Sequence, residues 1–309
     1  MFPHCPRLVA GLSLFVLISG CRPDSKVTTT DTAAVSVTPV DPVIPSARNP
    51  GWEDSVSGPV LLLAHPDSAR LAAIVFPSLT DSALAQGSAP AADTLAGMSF
   101  DLLDRSGGAG TARLLSRVTS VPAEGCISWP VATFEDTVAK AWRVGLQRGV
   151  ATPLLLDSLE SVTPADSLSI TTELARLASA LPASNDPAFQ GLPFSVRKAY
   201  RSKIGPTSLV IGDIVRKINE EANPREERLL LIGERGSGDA YSTVFHSRAA
   251  GSEEIVRTNE ILAAVKFKKG NRPAIIVAFE YENGSRIALI ERLSSIAWRL
   301  TWRSAYAGC

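Results

Sequence analysis

From Phe194 to the C-terminus, apolar and polar residues alternate with a period of two, broken at short intervals by turn formers. Successive side chains on a strand point to opposite faces, so this pattern confines the segment to β-sheet. It predicts strands over 194–200, 207–215, 228–234, 241–247, 260–268, 273–281, 286–292 and 296–304. Ile275, Val277, Phe279 and Tyr281 fall on one face of their strand, and Ile296, Trp298, Leu300 and Trp302 on one face of theirs. Asn283-Gly284 between two alternating runs is a hairpin signal. The eight strands form two sets of four with tight turns, a spacing that suits a propeller blade or a meander closing into a barrel.

The other end of the chain is of a different kind. Arg7 precedes an apolar run from Leu8 to Ile18, and Leu17-Ile18-Ser19-Gly20-Cys21 ends it. The run is too short to cross a hydrocarbon core, which needs roughly 20 residues, and small residues lead directly into a cysteine. This stretch resembles the lipobox of bacterial lipoproteins. The resemblance implies cleavage before Cys21, a diacylglycerol thioether on Cys21 and acylation of the new N-terminus. Residues 1–20 are then a signal peptide, and the membrane is reached through lipid alone. Several acyl chains on one cysteine make such attachment stable. Arg22 follows the cysteine where sorting patterns of diderm envelopes place Asp for inner-membrane retention, so the resemblance favours the outer membrane. Residues 21–50, rich in Thr, Pro, Val and Asp and without period, are expected to be a disordered tether. As a flexible coil it spans roughly 30 Å. Cys5 leaves with the signal and Cys21 carries lipid, so Cys126 and Cys309 remain, and an oxidising compartment favours a disulfide between them.

Folded sequence is expected from Trp52, with a boundary at 187 between an N-terminal α+β region (51–187) and a C-terminal antiparallel domain (188–309). Val60–Ala64, Leu71–Phe76 and the residues around Trp142 read as short strands. Ser99–Leu103 and Ala112–Ser116 flank the glycine-rich Ser106–Gly110 as a hairpin. One long helix is expected over 164–180: Thr163 caps it, Pro164 suits its first position, and Leu168, Ile170, Leu174, Leu177 and Leu181 form its apolar stripe. The fold class is therefore α+β and mainly antiparallel β. Lys268-Lys269-Gly270-Asn271-Arg272-Pro273-Ala274-Ile275-Ile276-Val277 also resembles the strand-entry motif of FG-GAP/VCBS-type propeller repeats, which implies blade-like architecture. In those repeats an acidic loop holds calcium; here Lys268, Lys269 and Asn271 stand in its place, and a hard cation lacks its carboxylate oxygens.

Recognisable chemistry is sparse. His65 lies in the turn-forming run His65-Pro66-Asp67-Ser68, where adjacent residues cannot adopt triad geometry. His246, next to Phe245 late in a strand, reads as a partly exposed strand residue rather than a catalyst. No cysteine–histidine spacing suits a metal. The glycines at 107–110 lack a following Lys-Ser/Thr, and Gly233, Gly236 and Gly238 read as turn glycines. Glu220-Glu221 and Glu226-Glu227 read as solvated turns. No cofactor is expected. Charge divides unevenly: residues 21–193 hold 11 basic and 18 acidic side chains, and residues 194–309 hold 19 and 13. The halves are expected to face each other, and Lys266, Lys268, Lys269 and Arg272 form a candidate patch for an anionic partner. An envelope address argues against nucleic acid. On these readings the chain is expected to be a lipid-anchored envelope protein acting as a binding or scaffolding module, with an envelope protein or an anionic glycan or lipid as the expected partner. The alternative is an envelope hydrolase.

Overall fold

The computed structural model describes residues 61–65, 70–87, 95–118, 125–138, 141–220, 222–236, 238, 240–294 and 297–309, all of which fall within one contact unit, Asp41–Cys309. The lipobox with Cys21, the tether, Trp52 and Ile296 lie outside the described residues.

The N-terminal strands close into a six-stranded barrel in the order β1-β2-β5-β4-β3-β6. They are β1 (Leu61–Ala64), β2 (Leu71–Val75), β3 (Ser99–Asp104), β4 (Gly107–Val118), β5 (Val131–Phe134) and β6 (Val144–Gln147). The expected hairpin is β3–β4, but Gly107, Gly108 and Gly110 lie within β4 rather than in the turn, which Arg105 and Ser106 make. Helix α1 (Asp81–Ala85) follows β2, and its Asp81 pairs with Arg286 at 2.7 and 2.8 Å while accepting from the Tyr306 amide.

All eight C-terminal strands form: β9 (Ser195–Ile204), β10 (Thr207–Ile218), β11 (Arg225–Arg235), β12 (Ser242–Ser252), β13 (Thr258–Phe267), β14 (Arg272–Tyr281), β15 (Gly284–Ser294) and β16 (Ala297–Arg303). They make two antiparallel meanders. β9–β12 form one sheet, extended at its β9 edge by β8 (Asp157–Ser158); β13–β16 form another, extended at its β13 edge by β7 (Ala151–Leu154). β7 and β8 thus carry both sheets across the boundary expected at 187. Neither meander closes on itself, and the closed barrel is built instead by β1–β6.

The layers stack because the central strands are apolar on both faces. Leu209, Ile211, Leu230 and Ile232 of the first sheet meet Ile275, Val277, Ala288 and Trp298 of the second. The opposite face of the second sheet, with Val265, Phe267, Ile276 and Leu289, shares its core with the barrel strands. The opposite face of the first sheet receives helix α2 (Pro164–Ser179). This helix starts as its sequence dictates: the Thr163 hydroxyl accepts from the Asp166 amide at 3.2 Å, with Pro164 in the first turn. Ile170, Leu174 and Leu177 are buried, whereas Leu168, expected in the stripe, is 68 % exposed. Leu174 and Leu177 sink into the sheet over Gly212 and Gly233. A Cβ on Gly233 would lie 2.6 Å from Leu177 Cδ1 and 2.9 Å from Val210 Cγ2. Gly233 is therefore a packing glycine inside β11, not a turn glycine.

Two further expectations are corrected by this stacking. Glu226 and Glu227 are not solvated: both are 0 % exposed, on opposite faces of β11. Glu227, on the helix side, pairs with Arg216 and accepts from Ser184; Glu226, on the inter-sheet side, pairs with Lys217 and Arg228. Trp298 and Leu300 join the inter-sheet core, but Trp302 turns to the barrel side. A register shift between Leu289↔Trp302 and Ile290↔Leu300 leaves Thr301 unpaired, and one extra residue reverses the face of the residues after it.

Cys126 and Cys309 form a disulfide, Cα–Cα 4.1 Å. The C-terminal strand β17 (Ala307–Gly308) pairs with β15, and Gly308 bridges to Ile127. Gly284 and Gly308 are in register, and a Cβ on Gly284 would stand 2.3 Å from Ala307 O. The Asn283-Gly284 hairpin forms with Glu282 and Asn283 in its turn, and Gly284 admits the terminal strand. Acids of residues 21–193 reach bases of 194–309 in the pairs Asp81–Arg286, Asp157–Arg201, Asp166–Arg201 and Asp186–Arg225.

Candidate functional site

The four cations picked out by sequence sit at the β13–β14 turn. Lys266 is half-buried on β13, opposite Thr152 of β7, and Lys268 and Lys269 are exposed at the turn itself. Arg272 is different: its guanidinium lies 3.4 Å from Glu291, which is completely buried and also accepts from Thr301 at 2.6 Å. The structure thus gives Arg272 a carboxylate partner, while the side chains of Lys268 and Lys269 are exposed.

A second concentration of cations lies elsewhere. A groove of about 790 Å³ runs beside α2 and is floored by β9, β10 and β11. Its cations are Arg176, Arg201, Lys203 and Arg235, set against the carboxylates Asp166 and Glu173. Strand register builds the floor. Ser208 pairs with Lys203 on one side and Arg235 on the other, so the three form a transverse row on the helix-facing side of the sheet. Neighbouring strands stand about 4.8 Å apart, which puts the two outer Cα atoms roughly 10 Å from each other. One step along, Arg201 is shared between Asp157 and Asp166, both at 3.7 Å. Glu173 is held by Arg176 at 2.6 and 2.9 Å, and that ion-paired hydrogen bond pulls its carboxyl below the usual range despite partial burial. Arg235 lies over the Tyr241 ring at 4.7 Å. Lys203 and Arg235 have no ion pair among the described residues.

A second hollow, about 520 Å³, opens at the seam between barrel and second sheet, lined by His65, Trp142, Arg143, Glu260, Glu280 and Ser285 among others. Glu260 Oε1 accepts from Arg105 and Arg143, both at 2.7 Å. Glu280 lies on the same sheet face, diagonal to Glu260 across the β13–β14 register. Burial, and then the negative charge of Glu260, push its carboxyl above the ordinary value. His65 follows β1 at the rim of this hollow, and Pro66–Ala69 lie outside the described residues. His246 is exposed on β12; burial of part of its ring and the nearby Arg248 push its pKa down. Among the described residues no group of three or more His, Cys, Asp or Glu is placed to hold a metal, and no helix is long and apolar enough to cross a membrane.

The groove was not legible from sequence. Its residues come from α2, three strands and the connection before β12, and their only linear signature is Arg201 and Lys203 at the alternate spacing that puts both on one strand face. Comparison with protein-family models, with curated proteins and with solved structures returned no match.

Proposed function

We propose that this chain is a lipid-anchored envelope protein that binds or scaffolds an anionic component through the groove beside α2. The anchor rests on the lipobox ending at Cys21. The binding role rests on one observation: the most spacious of the hollows described is an open groove in which Lys203 and Arg235 make no ion pair among the described residues. An array of this kind draws in and holds negative charge. The test has two parts. Metabolic labelling with an alkyne fatty acid tags the wild type and not Cys21→Ser. Pull-down of the lipidated protein from its own envelope recovers an anionic component that high salt releases and that Lys203→Glu/Arg235→Glu loses. Equal labelling of both forms, or identical recovery by the groove variant, contradicts the reading.

The hydrolase alternative draws support from Glu280, a half-buried carboxyl with a raised pKa in the seam hollow, the kind of group that serves as a general acid. On that reading Glu280→Gln removes a hydrolytic activity that the groove variant retains.

A further inference from the structure

We propose that the row Lys203–Ser208–Arg235 is a binding site for a phosphoryl group. This deepens the binding-module reading and rests on it for the source of the ligand.

Donor geometry selects the ligand. Three side chains on adjacent strands, in register and on one face, line a single groove. Lysine offers an ammonium, serine a hydroxyl and arginine a planar fork, so donors approach from both sides and from below. A planar carboxylate is satisfied by one arginine fork, leaving the lysine and the hydroxyl over. A tetrahedral oxyanion has oxygens enough for all three and matches the span of a two-strand step. Its charge also suits the balance of the groove. Each of the two carboxylates in the lining is ion-paired outside the row, Asp166 with Arg201 and Glu173 with Arg176, and Glu173 reaches Arg235 only through its more distant charge. Tyr241 packs under the Arg235 guanidinium and holds it toward the groove.

The site is built by the fold. Gly233 and Val210 lie one row further in, under Leu177, so the helix sits down on the sheet there and leaves the next row uncovered. The same groove has Leu168 on its rim, 68 % exposed. An apolar side chain in the same groove as two cations is the combination that meets a lipid headgroup and the first carbons beneath it. The phosphoryl group can therefore be that of an anionic phospholipid or of a soluble phosphate.

The experiment uses the full lipidated chain in nanodiscs and reads the rate of acylation of each lysine by mass spectrometry. Lys268 and Lys269 serve as internal references, being exposed and remote in sequence. In phosphatidylcholine discs, inorganic phosphate is titrated; a second set of discs contains phosphatidylglycerol. Selective protection of Lys203 by phosphate in the first set supports the site with a soluble source. Protection only in the second set supports the site with a headgroup source. In either case Arg235→Ala weakens the apparent affinity about tenfold, the loss expected for one charge-assisted hydrogen bond. Arg235→Lys retains most of it and excludes misfolding as the cause. Protection of Lys203, Lys268 and Lys269 to the same degree, or of none in either set, overturns the proposal. A chain that fails to enter discs contradicts the lipid anchor instead, and the phosphate titration on the same chain in solution still reads the site.

Discussion

Asp213→Asn is expected to stabilise this protein at neutral pH. Asp213 lies on β10 between the two sheets, 6 % exposed, and its Oδ1 accepts from Asn259 Nδ2 at 3.1 Å. Burial dominates its environment and pushes its carboxyl above the ordinary value, against the opposing pull of the Asn259 hydrogen bond and of Arg228. Asn259 Oδ1 is buried without a hydrogen-bond partner among the described residues. An asparagine at 213 still accepts from Asn259 Nδ2 and can return a hydrogen bond to that orphaned oxygen. One added hydrogen bond contributes about 1 kcal/mol, and removing a poorly solvated charge adds to it. A total of about 1–2 kcal/mol corresponds to a rise of roughly 2–6 °C in Tm for a domain of this size. The pH dependence has a definite sign. A carboxyl whose folded pKa exceeds its unfolded value holds its proton more tightly when folded. Its contribution is fully present below the unfolded value, about 3.9, and is lost as pH rises through the folded value. The variant's advantage is therefore largest at pH 7 and shrinks as the pH falls toward 4. Calorimetry of both proteins from pH 4 to 7 measures this. A variant less stable than wild type at pH 7, or an advantage that grows on acidification, would show that burial does not dominate at Asp213.

Three other outcomes follow from the packing. Gly233→Ala drives a methyl into Leu177 and Val210 and destabilises by about 1–3 kcal/mol in denaturant unfolding; adding Leu177→Ala, which opens space there, recovers part of that loss, and strict additivity of the two changes would argue against the contact. Reducing Cys126–Cys309, or Cys309→Ser, lowers stability by about 2–5 kcal/mol, since the bridge closes a loop with a sequence separation of 183; an unchanged Tm would mean that the terminal strand holds without it. Thr163→Ala removes the hydroxyl that accepts from the Asp166 amide and lowers stability by about 1 kcal/mol, with no loss if water replaces the cap equally well.

The parts legible in sequence are those in which neighbours along the chain carry the signal. Apolar runs and alternation broken by turn formers mark the strands from β9 to β16, and Thr163-Pro164 with the following leucines marks α2. The features that sequence misplaces depend on what lies above a face. Glu226-Glu227 next to Asn223-Pro224 has the composition of a solvated turn, yet β11 is sandwiched, and cations from β10, β12 and its own strand meet both carboxylates. Trp302 shares the alternation of Trp298, but an unpaired residue between them shifts the register. Arg272 has the spacing of one of four adjacent cations, but the pairing of β14 with β15 brings Glu291 beside it. The row of Lys203, Ser208 and Arg235 exists only in register, so no linear reading could assemble it.

Whether this row holds a tetrahedral oxyanion is read most directly with tungstate, because its heavy atom locates itself by anomalous scattering. Crystals of the protein soaked in tungstate should show an anomalous peak in the groove beside α2, within hydrogen-bond reach of Ser208 Oγ and between Lys203 and Arg235, and crystals of Lys203→Ala/Arg235→Ala should lack it. Peaks confined to the Lys268–Lys269 turn, with the groove empty in the wild type, would contradict the assignment.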